Sequence, residues 1–257
     1  MNINTRWVGA IYHKELRDFR RNRSLAVGMA IIPVIFCVQP LVTVLALNSQ
    51  ASGPLFHEHA LLYLLGIPAL APCFVASYSV VGERQQGTLE PVLTTPIRRE
   101  ELLLGKALAA LIPSIAVAYV VYGLFLACVE LLAHSGVASA LIRPPDLVAQ
   151  LFFTPLLATW SIWISVLIST RCSDVRVAQQ FSALASLPSV AVTTLVSLNV
   201  IKASLATALV AAVVLVVLDG LGWRAVSATF DRERLILGNP ARRGPRHGVT
   251  RPVAEAD

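Results

Sequence analysis

At 257 residues, with 56% hydrophobic and only 14% charged side chains and a mean hydropathy of +0.69, the chain has far fewer charges than the roughly 25% of a soluble globular domain. This excludes a water-soluble enzyme or binding module and marks a membrane protein. The formal net charge of +6 does not indicate nucleic acid, because the cations sit beside apolar runs and are not interleaved with aromatics on a wetted face. Anionic lipid headgroups are the partner they fit.

Residues 5–23 come first. On a helix Val8, Tyr12, Leu16 and Phe19 form one stripe, widened by Trp7 and Ile11, and His13, Lys14, Arg17, Arg20 and Arg21 occupy the other face. The spacing predicts an amphipathic helix lying in the membrane interface. A signal-peptide n-region is the alternative, but the next apolar run exceeds the ~7–15 residues of an h-region and no small-residue cleavage site follows.

Six apolar segments follow, near residues 25–47, 60–81, 107–132, 147–168, 178–198 and 203–223. Each approaches or exceeds the ~20 residues that span the hydrocarbon core as a helix. Lipid cannot satisfy backbone groups, so continuous segments of this length are helices and not barrel strands. The last two are joined only by Asn199 to Lys202, which requires a tight hairpin or a partly re-entrant pair. A short re-entrant or interfacial element is expected around His134 to Asp146. Pro33, Pro40, Pro68, Pro72, Pro113, Pro155 and Pro188 fall inside the spans, either as hinges or as fixed packing kinks.

Lysine and arginine concentrate before the first span, between the second and third, between the fourth and fifth, and after the sixth, leaving only Arg143 and Lys202 in the opposite loops. The positive-inside rule puts both termini and the 82–106 loop in the cytoplasm of a multi-pass cell-membrane protein. The fold class is therefore all-α: a polytopic domain over residues 1–230 with six transmembrane helices and an N-terminal interfacial helix. Residues 231–257 read as a basic, disordered tail.

Several chemistries find no support. Cys37, Cys73, Cys128 and Cys172 are scattered, and His57, Glu58 and His59 do not converge on an ion, so no metal site or disulfide framework is expected. Gly105-Lys106 lacks the upstream glycine of a P-loop, so the chain is not expected to bind nucleotide or hydrolyse ATP. No carboxylate falls in the middle of a predicted span: Asp219 is near the inner end of the sixth, where Arg224 is placed to neutralise it. This counts against an ion-coupled carrier.

One polar block stands between two apolar runs: GERQQGTLEPVLTTPIRREELLLGK at 82–106. Glu83 to Leu93 reads as a short cytoplasmic helix, and Thr95 as an N-cap with Pro96 at the first position of the next helix. The block resembles the signature of type-2 permeases of ATP-binding-cassette exporters through Glu83-Arg84, Gly87-Thr88-Leu89-Glu90, Leu93, Thr95-Pro96, Arg99, Glu101 and Gly105-Lys106. STRCSDVRVAQQ at 169–180, with Asp174, Gln179 and Gln180, is similar to a weaker family pattern. The resemblance implies a permease subunit that moves a substrate with ATP hydrolysed by a separate ATPase subunit. It makes Glu83 to Leu93 the coupling helix, with Glu83, Arg84 and Glu90 as polar contacts and Leu89 and Leu93 as apolar ones. This chain would bind no cofactor, since ATP and magnesium belong to the partner ATPase. A second permease subunit completes the transporter, as a homodimer in preference to a heterodimer. The alternatives are an ion-coupled secondary carrier and a non-transporting membrane scaffold or sensor subunit.

Overall fold

The computed structural model describes residues 4–46, 59–88 and 97–229, which are helical with no strand among them. The expected tail at 231–257 lies outside these residues. Helix α1 spans Thr5–Arg21 and α2 Arg23–Ala46. A 3-10 segment over Ala60–Leu65 runs into α3, Gly66–Ala76, and then α4, Tyr78–Gln85. The long α5 covers Arg99–Leu132, the short α6 Ser135–Leu141, α7 Pro144–Arg171, α8 Val175–Ser197 and α9 Leu205–Thr229.

Six helical stretches are long and apolar enough to cross a membrane: Val27–Ala46, Leu61–Gln85, Arg99–Leu132, Pro144–Arg171, Val175–Ser197 and Leu205–Thr229. The fifth and sixth are full-length, joined through a turn in which the N–H groups of Val200 and Ile201 both donate to Leu195 O. The element expected near His134 to Asp146 is α6, whose Val137, Ala138, Ala140 and Leu141 are buried. Two boundaries differ from the sequence reading. The third span begins eight residues early because Arg99, Glu100 and Glu101 form its first turn. The sixth runs on to Thr229, where Trp223 meets Trp163 edge-on and Val226 is fully buried against the core.

That extension corrects the reading of Asp219. It lies ten residues before the helix end, about 15 Å at 1.5 Å per residue, with Oδ1 buried and unbonded among the described residues. Arg224 does not pair with it. Residues five apart are about 140° apart around a helix, so the exposed Arg224 points elsewhere.

The second span is central. Its most apolar window is 83% buried against 6% for the last span, and α3 packs on α2, α5, α7 and α8. It is also the most broken span, with a 3-10 entry, Pro72 inside α3 and a turn at Ser77. Neighbouring hydroxyls repair it. Ser161 Oγ donates to Ala69 O at 2.7 Å. At the break, Ser169 Oγ donates to Ser77 O at 2.6 Å and accepts from Val80 and Val81 N–H at 3.2 and 3.0 Å. The i to i+4 bond between Ser77 and Val81 is thus replaced by an inserted side chain, a recognised cause of a helix bend. Cys73 Sγ sits 3.1 Å from both Ser161 Oγ and Ser186 Oγ, knotting α3, α7 and α8.

Ser169→Ala is expected to cost about 1–3 kcal/mol, the penalty of stranding buried polar groups. Ser165→Ala, whose hydroxyl bonds only to its own helix at Ser161 O, is expected to be near neutral. Thermal unfolding of the two variants in detergent checks the contrast.

Candidate functional site

At the end of the bundle that carries α1, the second span stops and the third begins, and the signature block joins them. The helix expected over Glu83 to Leu93 does not run through. Helix α4 ends at Gln85, and Gly87 takes a left-handed φ of 67°. Gly87 N–H donates to Arg84 O and Thr88 N–H to Glu83 O. This is a Schellman C-cap, in which glycine at the left-handed position avoids the Cβ penalty. Leu89, Glu90, Leu93, Thr95 and Pro96 lie outside the described residues. On the far side, α5 starts at Arg99 with Arg98 at the cap, so the cap expected from Thr95 and Pro96 is not at this helix start. Glu101 closes it, accepting from Arg98 N–H at 3.1 Å and from Asn4 N–H at 2.9 Å. The start of α1 is thereby tied to the start of α5.

Glu83 is not an outward-facing contact. It is 4% exposed and belongs to a buried charge quartet with Lys14, Glu15 and Lys106. Lys106 Nζ donates to Glu15 Oε1 at 3.0 Å and to Ser79 O at 2.8 Å. It also sits 2.9 Å from Glu83 Oε2, off the hydrogen-bond axis. Lys14 Nζ reaches Glu83 Oε1 at 2.5 Å and Glu15 Oε1 at 3.2 Å. Two cations balance two anions, and three of the four side chains are nearly solvent-free. Desolvating ions is costly, and the expense is offset only when every partner is present in good geometry.

Two features of α1 permit this contact. Its buried positions are Ile11, Glu15 and Phe19, with Val8, Tyr12 and Leu16 half-buried, so the face turned to the protein is rotated from the expected stripe and includes a carboxylate. At the meeting point Gly105 faces Ile11, where a Cβ would come within 2.6 Å of Ile11 Cγ2 and 3.2 Å of the Val8 carbonyl oxygen. Only glycine allows α1 this close to α5. The Gly105-Lys106 pair thus combines close approach with a buried cation.

The second loop meets the first. Arg84 donates through Nη1 to Cys172 O at 3.1 Å and through Nη2 to Thr170 O at 3.4 Å, and Gln85 Nε2 to Ser173 O at 3.2 Å. Asp174 caps α8, accepting from Arg176 and Val177 N–H at 2.7 and 3.3 Å. Gln179 Nε2 donates to Phe74 O at 3.3 Å, and Gln180 is exposed. Gln85, Asp174 and Gln179 line one open cleft of about 470 Å³ with Asn22, Tyr78 and Arg176. The structure therefore gathers Glu83, Arg84, Gly87, Thr88, Asp174 and Gln179 at one end.

Sequence reasoning missed Glu15 and the partnership of Lys106. Both left a signal: Glu15 is four residues from Ile11 and from Phe19, and Lys106 is a lone cation followed by an apolar run. At the opposite end, His59 is more than part of a solvated loop. Its Nδ1 lies 2.7 Å from Asp146 Oδ1, and its N–H donates to Ser197 O, joining the starts of the second and fourth spans to the end of the fifth. His57 and Glu58 lie outside the described residues.

Lys106→Met leaves Glu15 and Glu83 sharing only Lys14 and is expected to destabilise by about 3–5 kcal/mol, as for a broken buried pair. Thermal unfolding measures the loss, and limited proteolysis within residues 4–22 reads release of α1. The pH response has a definite sign. Burial works to raise the Glu15 carboxyl, but Lys106 and Lys14 outweigh it and hold the pKa below the ordinary 4.5. Burial works to lower the Lys14 ammonium, but Glu15 and Glu83 outweigh it and hold the pKa above the ordinary 10.5. A depressed carboxylate stabilises above its ordinary value and loses that stabilisation as pH falls through its folded one. A raised lysine stabilises below its ordinary value and loses it as pH rises through the folded one. Docking of α1 is therefore expected to hold from about pH 4.5 to 10.5 and to weaken outside it, read as protease sensitivity of α1 against pH.

No curated protein of known function matches the chain. A family model described as an ABC-2 family transporter protein matches residues 9–230, which takes in α1 from Gly9 onward, all six apolar helices and both polar loops. Over that length the chain is a multi-pass permease of an ABC transporter, and it belongs to the ABC-2 transporter family.

Proposed function

We propose that the chain is the membrane subunit of an exporter, and that it takes its energy from ATP and magnesium held in a separate ATPase subunit through the 82–106 loop. The observation that supports this best is the buried Glu83 and Lys106 pair. They stand at the two ends of the 82–106 block, and Lys14 and Glu15 of α1 lock both. A force applied between residues 87 and 98 then reaches α1, α4 and α5 together, because separating any of them breaks ion pairs that are largely shielded from solvent. Arg84 carries the same displacement into the end of α7 and the start of α8.

In this reading Arg84, Gly87, Thr88, Leu89, Glu90 and Leu93 form the ATPase contact with Gln180 beside them, and Glu83 acts behind it as a positioning residue. Helix α1 lies in the cytoplasmic headgroup layer with both termini on that side, as its basic residues and the positive-inside rule favour. Two copies of the chain pair side by side.

Glu90→Arg is expected to weaken co-purification with the ATPase subunit by about tenfold or more, equivalent to ~1.4 kcal/mol, and to abolish permease-stimulated ATP hydrolysis in proteoliposomes. Glu83→Gln is expected to leave co-purification intact and to lower the stimulation. If charge reversal at Glu90 leaves both assembly and stimulation unchanged, the coupling assignment is wrong.

A further inference from the structure

Helix α7 carries a polar ladder along one side: Asp146, Gln150, Thr154, Ser161, Ser165 and Ser169, all at most 3% exposed. Its two halves differ. In the half nearer the α1 end every hydroxyl is bonded: Ser161 to Ala69 O, Ser165 to Ser161 O and Ser169 to Ser77 O. In the other half the oxygens are unsatisfied. Gln150 Oε1 finds no hydrogen-bond partner among the described residues, Thr154 Oγ1 has the Tyr119 hydroxyl nearby but no bond of ordinary geometry, and on α5 Ser114 Oγ and Tyr122 Oη are likewise unbonded. Gln150 is 1% exposed, Thr154 and Ser114 are 0% and Tyr122 is 8%.

These atoms belong to elements that pack on one another, since α3, α5 and α7 are mutually in contact. Tyr119 Oη donates to Leu151 O at 2.8 Å, which brings the α5 and α7 faces together at this depth, and Tyr122 lies within electrostatic reach of Asp146. Each unsatisfied buried polar group costs about 1–3 kcal/mol, and several together are incompatible with a dry apolar seam.

The chemistry of the set selects its ligand. Gln150 Oε1 accepts only, whereas the hydroxyls of Ser114, Tyr122 and Thr154 both donate and accept. Asp146 already faces His59 at 2.7 Å and Arg143 at 3.5 Å, so the set does not call for a further cation, and an anion has no donor to offer Gln150 Oε1. Ser114 and Tyr122 are about 12 Å apart along α5, so several small neutral molecules that each donate and accept, spaced along the seam, satisfy the set. We propose that the seam between α5, α7 and the second span, in the half of the bundle away from α1, binds ordered water bridging Ser114, Tyr122, Gln150 and Thr154. The hydrated seam ends where the bonded hydroxyls of Ser161, Ser165 and Ser169 begin. It stands independently of the transport reading.

Radiolytic hydroxyl-radical labelling of the intact wild-type protein in nanodiscs tests this, because radicals generated at bound water modify adjacent side chains even when bulk solvent is excluded. After correction for intrinsic reactivity, Tyr122 is expected to be modified at least about fivefold faster than Trp163, whose exposure of 7% is nearly the same but which lies in the bonded half. Equal rates overturn the proposal. The pair Gln150→Leu and Thr154→Val supplies a second readout. In a hydrated seam the double variant unfolds at a lower temperature. In a dry seam, removing stranded oxygens leaves the unfolding temperature unchanged or raises it, and that result also overturns the proposal.

Discussion

The arrangement at the α1 end depends on a constraint of charge: four ionised side chains from three separate stretches of chain share one nearly dry site. Lys106 is the hub, because its ammonium donates to Glu15 and the Ser79 carbonyl and pairs as an ion with Glu83. Removing the end of α4 or the start of α5 leaves the remaining charges unbalanced, and removing α1 strips Lys106 and Glu83 of one partner each, which is more expensive than losing an ordinary apolar contact. The quartet thus joins the two ends of the loop. A loop whose ends are locked to each other and to α1 passes on displacement better than one hung between independent helices.

The second span shows a related economy. It is the most buried element and the most irregular, a combination that lipid does not tolerate but protein does. Its 3-10 entry, Pro72 and the turn at Ser77 leave backbone groups exposed to the interior, and α7 faces them with serines at the positions where donors are needed. Ser169 both donates and accepts within a single turn. The same ladder farther along α7 does not close on itself, so one helix has a dry, bonded half and an unsatisfied half. That division falls between Thr154 and Ser161.

Helical class, six spans and the importance of 82–106 were legible in the sequence because each is a property of a continuous window. A run of apolar residues of sufficient length has one solution in lipid, and a polar block between two such runs has to leave it. The limits of that block were less legible. Glu83 reads from the sequence as the start of a helix that presents it outward, yet it lies in the last turn of a span and faces inward, because Lys106, twenty-three positions on, offers an ion pair that no local rule anticipates. The pairing of His59 with Asp146 is likewise invisible locally, because the two are distant in sequence.

The amino-acid sequence by itself determined the membrane setting, the number of spans, the polar loops and the family signature, since hydropathy and charge are read one segment at a time. Only tertiary structure decided which face of α1 is buried, that Glu83 points inward, that Asp219 lies within its helix away from Arg224, and that α7 serves the broken second span. Each of these rests on which groups meet across large separations in the chain, where burial turns a charge or hydroxyl from an inexpensive surface feature into one that must be matched. The loop at 82–106 is therefore recognised by composition, but what anchors it is an ion quartet assembled by packing.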